Sequence, residues 1–127
     1  AGARHAVPLK VSSAFHTSMM HPAGEALREQ FRQMQFGTMQ FPVIFNTTAR
    51  PLAEGETIPG LLEQQVQSSV RMAQTIRYME AQGVDTILEI GPGKALSGFV
   101  KRTAKEIRVS AVEDAAGMAE LLERFGR

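Results

Sequence analysis

The run Ile87-Leu88-Glu89-Ile90, passing straight into Gly91-Pro92-Gly93, constrains this chain more than any other feature. A short apolar run with β-branched residues, stopped by turn formers, reads as a buried strand. Leu96, Phe99 and Val100 then fall on one face of a helix, and Val109 and Ala111 belong to another short strand. Strands separated by helices favour an α/β layer structure with a short, mostly parallel sheet flanked by helices.

The rest of the chain fits that frame. His5 to Val11 is a strand candidate in which Pro8 suggests an edge or a strand end. Pro22 suits the first turn of a helix, where a missing N–H costs nothing. Ala23, Leu27, Phe31 and Met34 follow at helical spacing and predict a helix ending near Gly37. Pro42 opens the run Val43-Ile44-Phe45, which reads as another buried strand. Ile58, Leu61, Leu62 and Val66 mark a second helix. Met72, Ile76 and Met79 mark a third, stopped by Gly83. Met118, Leu121, Leu122 and Phe125 form the face of the last helix.

Composition narrows the function classes. A length of 127 residues suits one domain, and a net charge of +1 lacks the basic excess that nucleic-acid binding needs, so no nucleic-acid partner is expected. The absence of cysteine excludes disulfides, thiolate metal sites and a cysteine nucleophile. No apolar run approaches the roughly 20 residues that span a bilayer, so no membrane partner is expected. The opening AGARHAVPLK lacks the shape of a signal peptide, and cytoplasm is the default compartment. Because the first residue is not Met, the sequence reads as a chain entered partway through.

Three places could carry chemistry. His16 stands in Ser13-Ala14-Phe15-His16-Thr17-Ser18, just before a helix, and imidazole both takes and gives a proton near neutral pH. From the residues alone, His16 is either such a group or an ordinary surface histidine. His21 lies five residues on, off the same helix face, and Glu25 is the nearest carboxylate, so no metal site is expected. The second place is Glu89-Ile90-Gly91-Pro92-Gly93-Lys94. Backbone N–H groups at a helix start can hold an anion, but the run matches neither glycine-rich phosphate fingerprint, which leaves a tight structural turn as the plainer reading. The third is a nucleophile. Among Ser12, Ser13, Ser18, Ser68, Ser69, Ser97 and Ser110, none has glycine at both two-residue offsets, as the G-x-S-x-G elbow requires.

Taken together, four segments resemble malonyl-CoA:acyl carrier protein transacylases, in order and over nearly the whole chain. They are VPLKVSSAFHTSMMHPA, FPVIFNTTA, GVDTILEIGPGKALSGFVKR and AVED. The resemblance implies the C-terminal half of an α/β-hydrolase-like acyltransferase domain over residues 12–127. Residues 1–11 would be the end of a ferredoxin-like small subdomain and supply its last strand. It implies ping-pong malonyl transfer from malonyl-CoA to the phosphopantetheine thiol of acyl carrier protein, in fatty acid biosynthesis. Under it, His16 is the catalytic base, and a main-chain carbonyl at Gln65 steadies the histidine. The family's serine elbow, its arginine for the malonyl carboxylate and its oxyanion glutamine lie upstream of the matching region. The chain alone is therefore expected to be inactive, and the N-terminal half of the same enzyme becomes an expected partner.

Phe15 has a further implication. In related polyketide synthase acyltransferases, A-F-H at this place accompanies malonyl substrates and A-S-H methylmalonyl. A phenyl ring fills the room that a methyl needs, so the resemblance implies a substrate-specificity role for Phe15, a preference that stands beside ordinary core packing of the ring. Two other readings stay open: a piece of a polyketide synthase acyltransferase, and a non-catalytic interaction domain of the same fold. Exposed apolar surface on half a domain also leads to an expectation of self-association.

Overall fold

A computed structural model describes residues 13–126 together with Gly2 and Pro8. The strand expected over His5 to Val11 lies outside the described residues apart from Pro8, as does most of the proposed subdomain end at 1–11. The chain divides into two compact units, Ala1–Gln40 with Ala53–Val70, and Phe41–Leu52 with Arg71–Arg127.

In the first unit, a 3-10 turn at Ser18–Met20 leads into helix α1 (His21–Phe31), which packs on helix α2 (Ile58–Gln67). Pro22 and Pro59 occupy the first turns of α1 and α2. Thr57 caps α2 by accepting a hydrogen bond from the Gly60 N–H, at 3.2 Å, which satisfies one of the donors left over at a helix start. The two helices approach closely at Gly24, the buried residue of α1. A Cβ there would stand 2.8 Å from the Gln67 side-chain nitrogen and 3.5 Å from the Glu63 carbonyl oxygen.

The expected length of α1 needs correction. It stops at Phe31 rather than near Gly37. Tighter turns follow, with Gln33 N–H bonded to the Gln30 carbonyl and Met34 N–H to that of Phe31. The Phe36 ring meets the Phe31 ring edge-on at 5.6 Å. The fold-back takes Phe36 inward and leaves Met34 exposed, although its spacing matched the helical face.

The second unit holds helix α3 (Met72–Ala81), strand β1 (Thr86–Ile90), helix α4 (Ala95–Thr103), strand β2 (Arg108–Val112) and helix α5 (Ala115–Phe125). The strands pair in parallel from Thr86 opposite Arg108 to Ile90 opposite Val112, with α4 in the crossover. Ile76, Val100, Ala104 and Ile107 form its buried cluster, flanked by Met72, Met79, Ile87 and Val109. Gly83 ends the α3 segment as expected. Its φ of 80° lets its own N–H reach the Glu80 carbonyl while Val84 N–H reaches that of Met79. These are the paired bonds of a Schellman cap, in a backbone conformation that glycine adopts without strain.

Two strand expectations change. Val43-Ile44-Phe45 forms no strand; only Phe45 bridges, antiparallel, to Arg50. The turn between them consumes the backbone instead, with Ala49 N–H on the Phe45 carbonyl and Ala49 at φ 56°. Strand β1 is partly buried, and on one face only. Ile87 packs against the cluster, whereas Leu88 and Ile90, which alternate onto the other face, are 37% and 66% exposed. Among the described residues, no helix is long and apolar enough to cross a membrane.

Candidate functional site

His16 sits against the end of α2, in a backbone conformation uncommon for a residue other than glycine. Its φ is 65°, in the left-handed region that few residues other than glycine enter. Such a conformation persists where the surroundings over-determine it. Here two hydrogen bonds do so. The His16 backbone N–H donates to the Val66 carbonyl at 2.8 Å, and ring atom Nδ1 lies 2.9 Å from the Gln65 carbonyl oxygen. Both acceptors belong to the last turn of α2, where carbonyls have no partner further along the helix. The histidine thus caps the helix twice, once with its backbone and once with its ring.

The ring contact assigns the proton. A carbonyl oxygen only accepts, so Nδ1 carries the hydrogen and Nε2 keeps its lone pair in the neutral ring. A ring in that state can take a proton at Nε2 while Nδ1–H holds its orientation. The structure therefore brings together His16 and Gln65, through the main chain of the latter. The neighbouring Phe15 is 57% exposed and makes no ring contact among the described residues. Thr17 closes the local loop by donating its hydroxyl to the Ala14 carbonyl at 2.8 Å.

A second contact flanks the first. His21, the first residue of α1, places Nδ1 2.9 Å from Gln67 Oε1, and its Nε2 lies 3.7 Å from Glu25. Further along the same helix pair, Arg28 meets both oxygens of Glu63, at 2.9 and 2.5 Å. The hydrogen bond and charge of Arg28 hold the Glu63 carboxyl below its usual range. Among the described residues, no group of three or more His, Asp or Glu side chains could hold a metal.

The Gly91-Pro92-Gly93 turn resolves differently. The N–H groups that open α4 do face an anion, but it is supplied from within the chain. The Glu89 carboxylate accepts from the Leu96 N–H at 3.1 Å, from the Ser97 N–H at 2.7 Å and from the Ser97 hydroxyl at 2.6 Å. The hydroxyl and N–H of Ser97, then the Leu96 N–H, hold the Glu89 carboxyl below the ordinary glutamate range. Glu113 fastens the other side, accepting from the Gly93 N–H at 3.0 Å and pairing with Lys94 at 2.9 Å. Gly91 and Gly93, at φ 137° and 90°, explain the glycines. The turn is a structural clasp, and buried Ser97 is committed to it. A glutamate eight residues before a serine, across a glycine turn, was the available signal for this cap.

Comparison with known proteins bears on the whole chain. No family model matches it. It is 41% identical over 113 residues to the malonyl CoA-acyl carrier protein transacylase of Bacillus subtilis, covering 89% of this chain and 36% of the relative. A malonyl transacylase structure from Streptococcus pneumoniae superposes with a TM-score of 0.88 at 40% identity, over 98% of this chain and 40% of that one. Over nearly its whole length, this chain is homologous to malonyl CoA-acyl carrier protein transacylases. It spans about two fifths of the length of the relatives it matches. The same superposition quality, a TM-score of 0.88 at 36% identity, is reached with a malonyl-transacylase solved together with its type II polyketide synthase acyl carrier protein. That match covers 97% of this chain and 40% of that one.

Proposed function

We propose that this chain provides the C-terminal part of a malonyl-CoA:acyl carrier protein transacylase, with His16 as its general base. The observation that carries the reading is the His16 Nδ1–H bond to the Gln65 carbonyl, which leaves Nε2 as the ring's proton acceptor. In the complete enzyme, a serine from the remaining three fifths would lose its proton to Nε2 as its oxygen attacks the malonyl thioester carbonyl. Collapse of the tetrahedral intermediate breaks the carbon–sulfur bond, and the proton passes from Nε2 to the departing coenzyme A thiolate. The phosphopantetheine thiol of acyl carrier protein then repeats the sequence in reverse and takes the malonyl group. Backbone N–H donors would stabilise each oxyanion. The reaction needs no resident cofactor under this reading, and its place is fatty acid biosynthesis in the cytoplasm.

Carrier identity is a separate matter. The relative solved with a polyketide carrier protein supports a second reading, in which the same transfer serves polyketide assembly. Phe15 is proposed to favour malonyl over methylmalonyl by occupying the space of the extra methyl.

Intact mass of the chain after incubation with malonyl-CoA tests the proposal. No adduct is expected on this chain alone. When the chain is mixed with the uncovered N-terminal portion of the Bacillus subtilis relative, an adduct is expected on that portion. In the same mixture, Phe15→Ser should raise methylmalonyl adducts relative to malonyl ones. A malonyl adduct on this chain alone would reveal a nucleophile among its own residues and overturn the division of labour.

A further inference from the structure

We infer that His21 and Gln67 are positioning residues for His16. Their hydrogen bond clamps the start of α1 to the end of α2 beside the His16–Gln65 contact. The meaning of the clamp for catalysis rests on the reading of His16 as a base; the clamp itself rests on geometry.

Among the described residues, the hydrogen bonds that hold His16 come from the last turn of α2. Val66 and Gln65 offer their carbonyls, and the helix ends one residue later at Gln67. Ser68, the following residue, leaves in extended backbone and provides no capping N–H to the helix. A helix end without such a cap frays, because its final carbonyls lack partners in the chain beyond. His16 satisfies two of them, yet His16 is itself the group that must be kept in place. The terminus therefore needs an anchor that is not His16.

Gln67 provides that anchor. Its side chain lies against Gly24, where a Cβ would come within 2.8 Å of its nitrogen, so glycine makes the room for it. Its oxygen accepts from His21 Nδ1–H at 2.9 Å. His21 in turn begins α1 directly after the Ser18–Met20 turn, five residues beyond His16. Two cross-links thus join the same short segments, His16 to Gln65 and His21 to Gln67. Each supports the other's register: with the outer bond in place, the His16 loop slides along the α2 carbonyls only by breaking both contacts. Arg28–Glu63 joins the same helices one turn back along α2 and about two turns along α1, so it secures the packing but lies farther from His16.

Ring nitrogen shifts of His16 in the full chain, labelled with nitrogen-15 at histidine, test this at fixed pH. The wild type should show the Nδ1–H form. His21→Ala and Gln67→Ala should each lower the ratio of Nδ1–H to Nε2–H forms several-fold. Gln67→Glu, which keeps an oxygen for His21, should restore it, and Arg28→Ala should leave it unchanged. The His21 side chain is 58% exposed, so His21→Ala carries the test if Gln67→Ala fails to fold. An unchanged ratio in His21→Ala, or an equal drop in Arg28→Ala, would reduce the contact to ordinary helix packing. That failure would leave the base assignment standing, which only the loss of acyl transfer in a His16 variant can decide.

Discussion

The two units of this chain are held together by different physics. In the second, Ile76, Val100, Ala104 and Ile107 are buried in one apolar cluster beneath α3, α4 and the sheet. Among the described residues of the first, Leu61 is the one large apolar side chain that is buried, and Gly24 and two polar cross-links join α1 to α2. Apolar burial is strong but nearly direction-free, so it stabilises a unit without fixing one atom against another. Hydrogen bonds contribute less each and define distance and angle. The candidate base lies in the unit built by the second means, where orientation matters more than cohesion.

The contrast can be broken by substitution. Ile76→Ala removes the most deeply buried large side chain among the described residues and should destabilise the second unit by about 2–5 kcal/mol. Chemical unfolding followed by a probe in that unit would show it. Thr57→Ala deletes the α2 cap in the first unit and should cost about 1 kcal/mol. Equal losses would erase the distinction between the two kinds of cohesion.

Acid sharpens the comparison. Glu89 is held below the ordinary glutamate value of 4.5 by Ser97 and Leu96. On unfolding it returns to that value, so its stabilisation is complete above 4.5 and is lost as pH falls through the lowered one. Glu63 follows the same course in the first unit, because Arg28 lowers it. Glu89→Gln should reduce the acid dependence of the second unit, to which Asp85 and Glu113 also contribute because their pKa values are lowered too, and leave that of the first intact. Parallel curves for variant and wild type would show that the Glu89 cap contributes nothing to acid stability.

Much of the second unit was legible in the sequence, because local periodicity and turn residues report on local structure. The strand over Ile87 to Ile90, the stop at Gly83 and the existence of α4 and α5 follow from spacing and turn residues, but of the two predicted helix faces only Val100 is buried, and Leu96, Phe99, Leu122 and Phe125 are exposed. Val43 to Phe45 misled because an apolar run says nothing about whether its backbone finds a partner strand. Met34 misled because the helix ends at Phe31 and the chain turns back, with Phe36 on Phe31, before the apolar period runs out. The site was legible only in part. His16 could be picked out as a residue, and family resemblance pointed to Gln65, whose contribution is a main-chain carbonyl that any residue type could offer. The His21–Gln67 and Glu89–Ser97 contacts join groups whose pairing depends on the fold, 46 and 8 residues apart in the chain.

The central claim is that His16 acts as the base from its seat on the α2 terminus. Malonyl transfer by the chain reassembled with the serine-bearing portion of a relative tests it most directly. His16→Ala should lower kcat by about 10²–10⁴-fold while malonyl-CoA still binds. A variant that transfers malonyl at the wild-type rate would contradict the account, because the geometry that orients Nε2 would then serve no proton transfer.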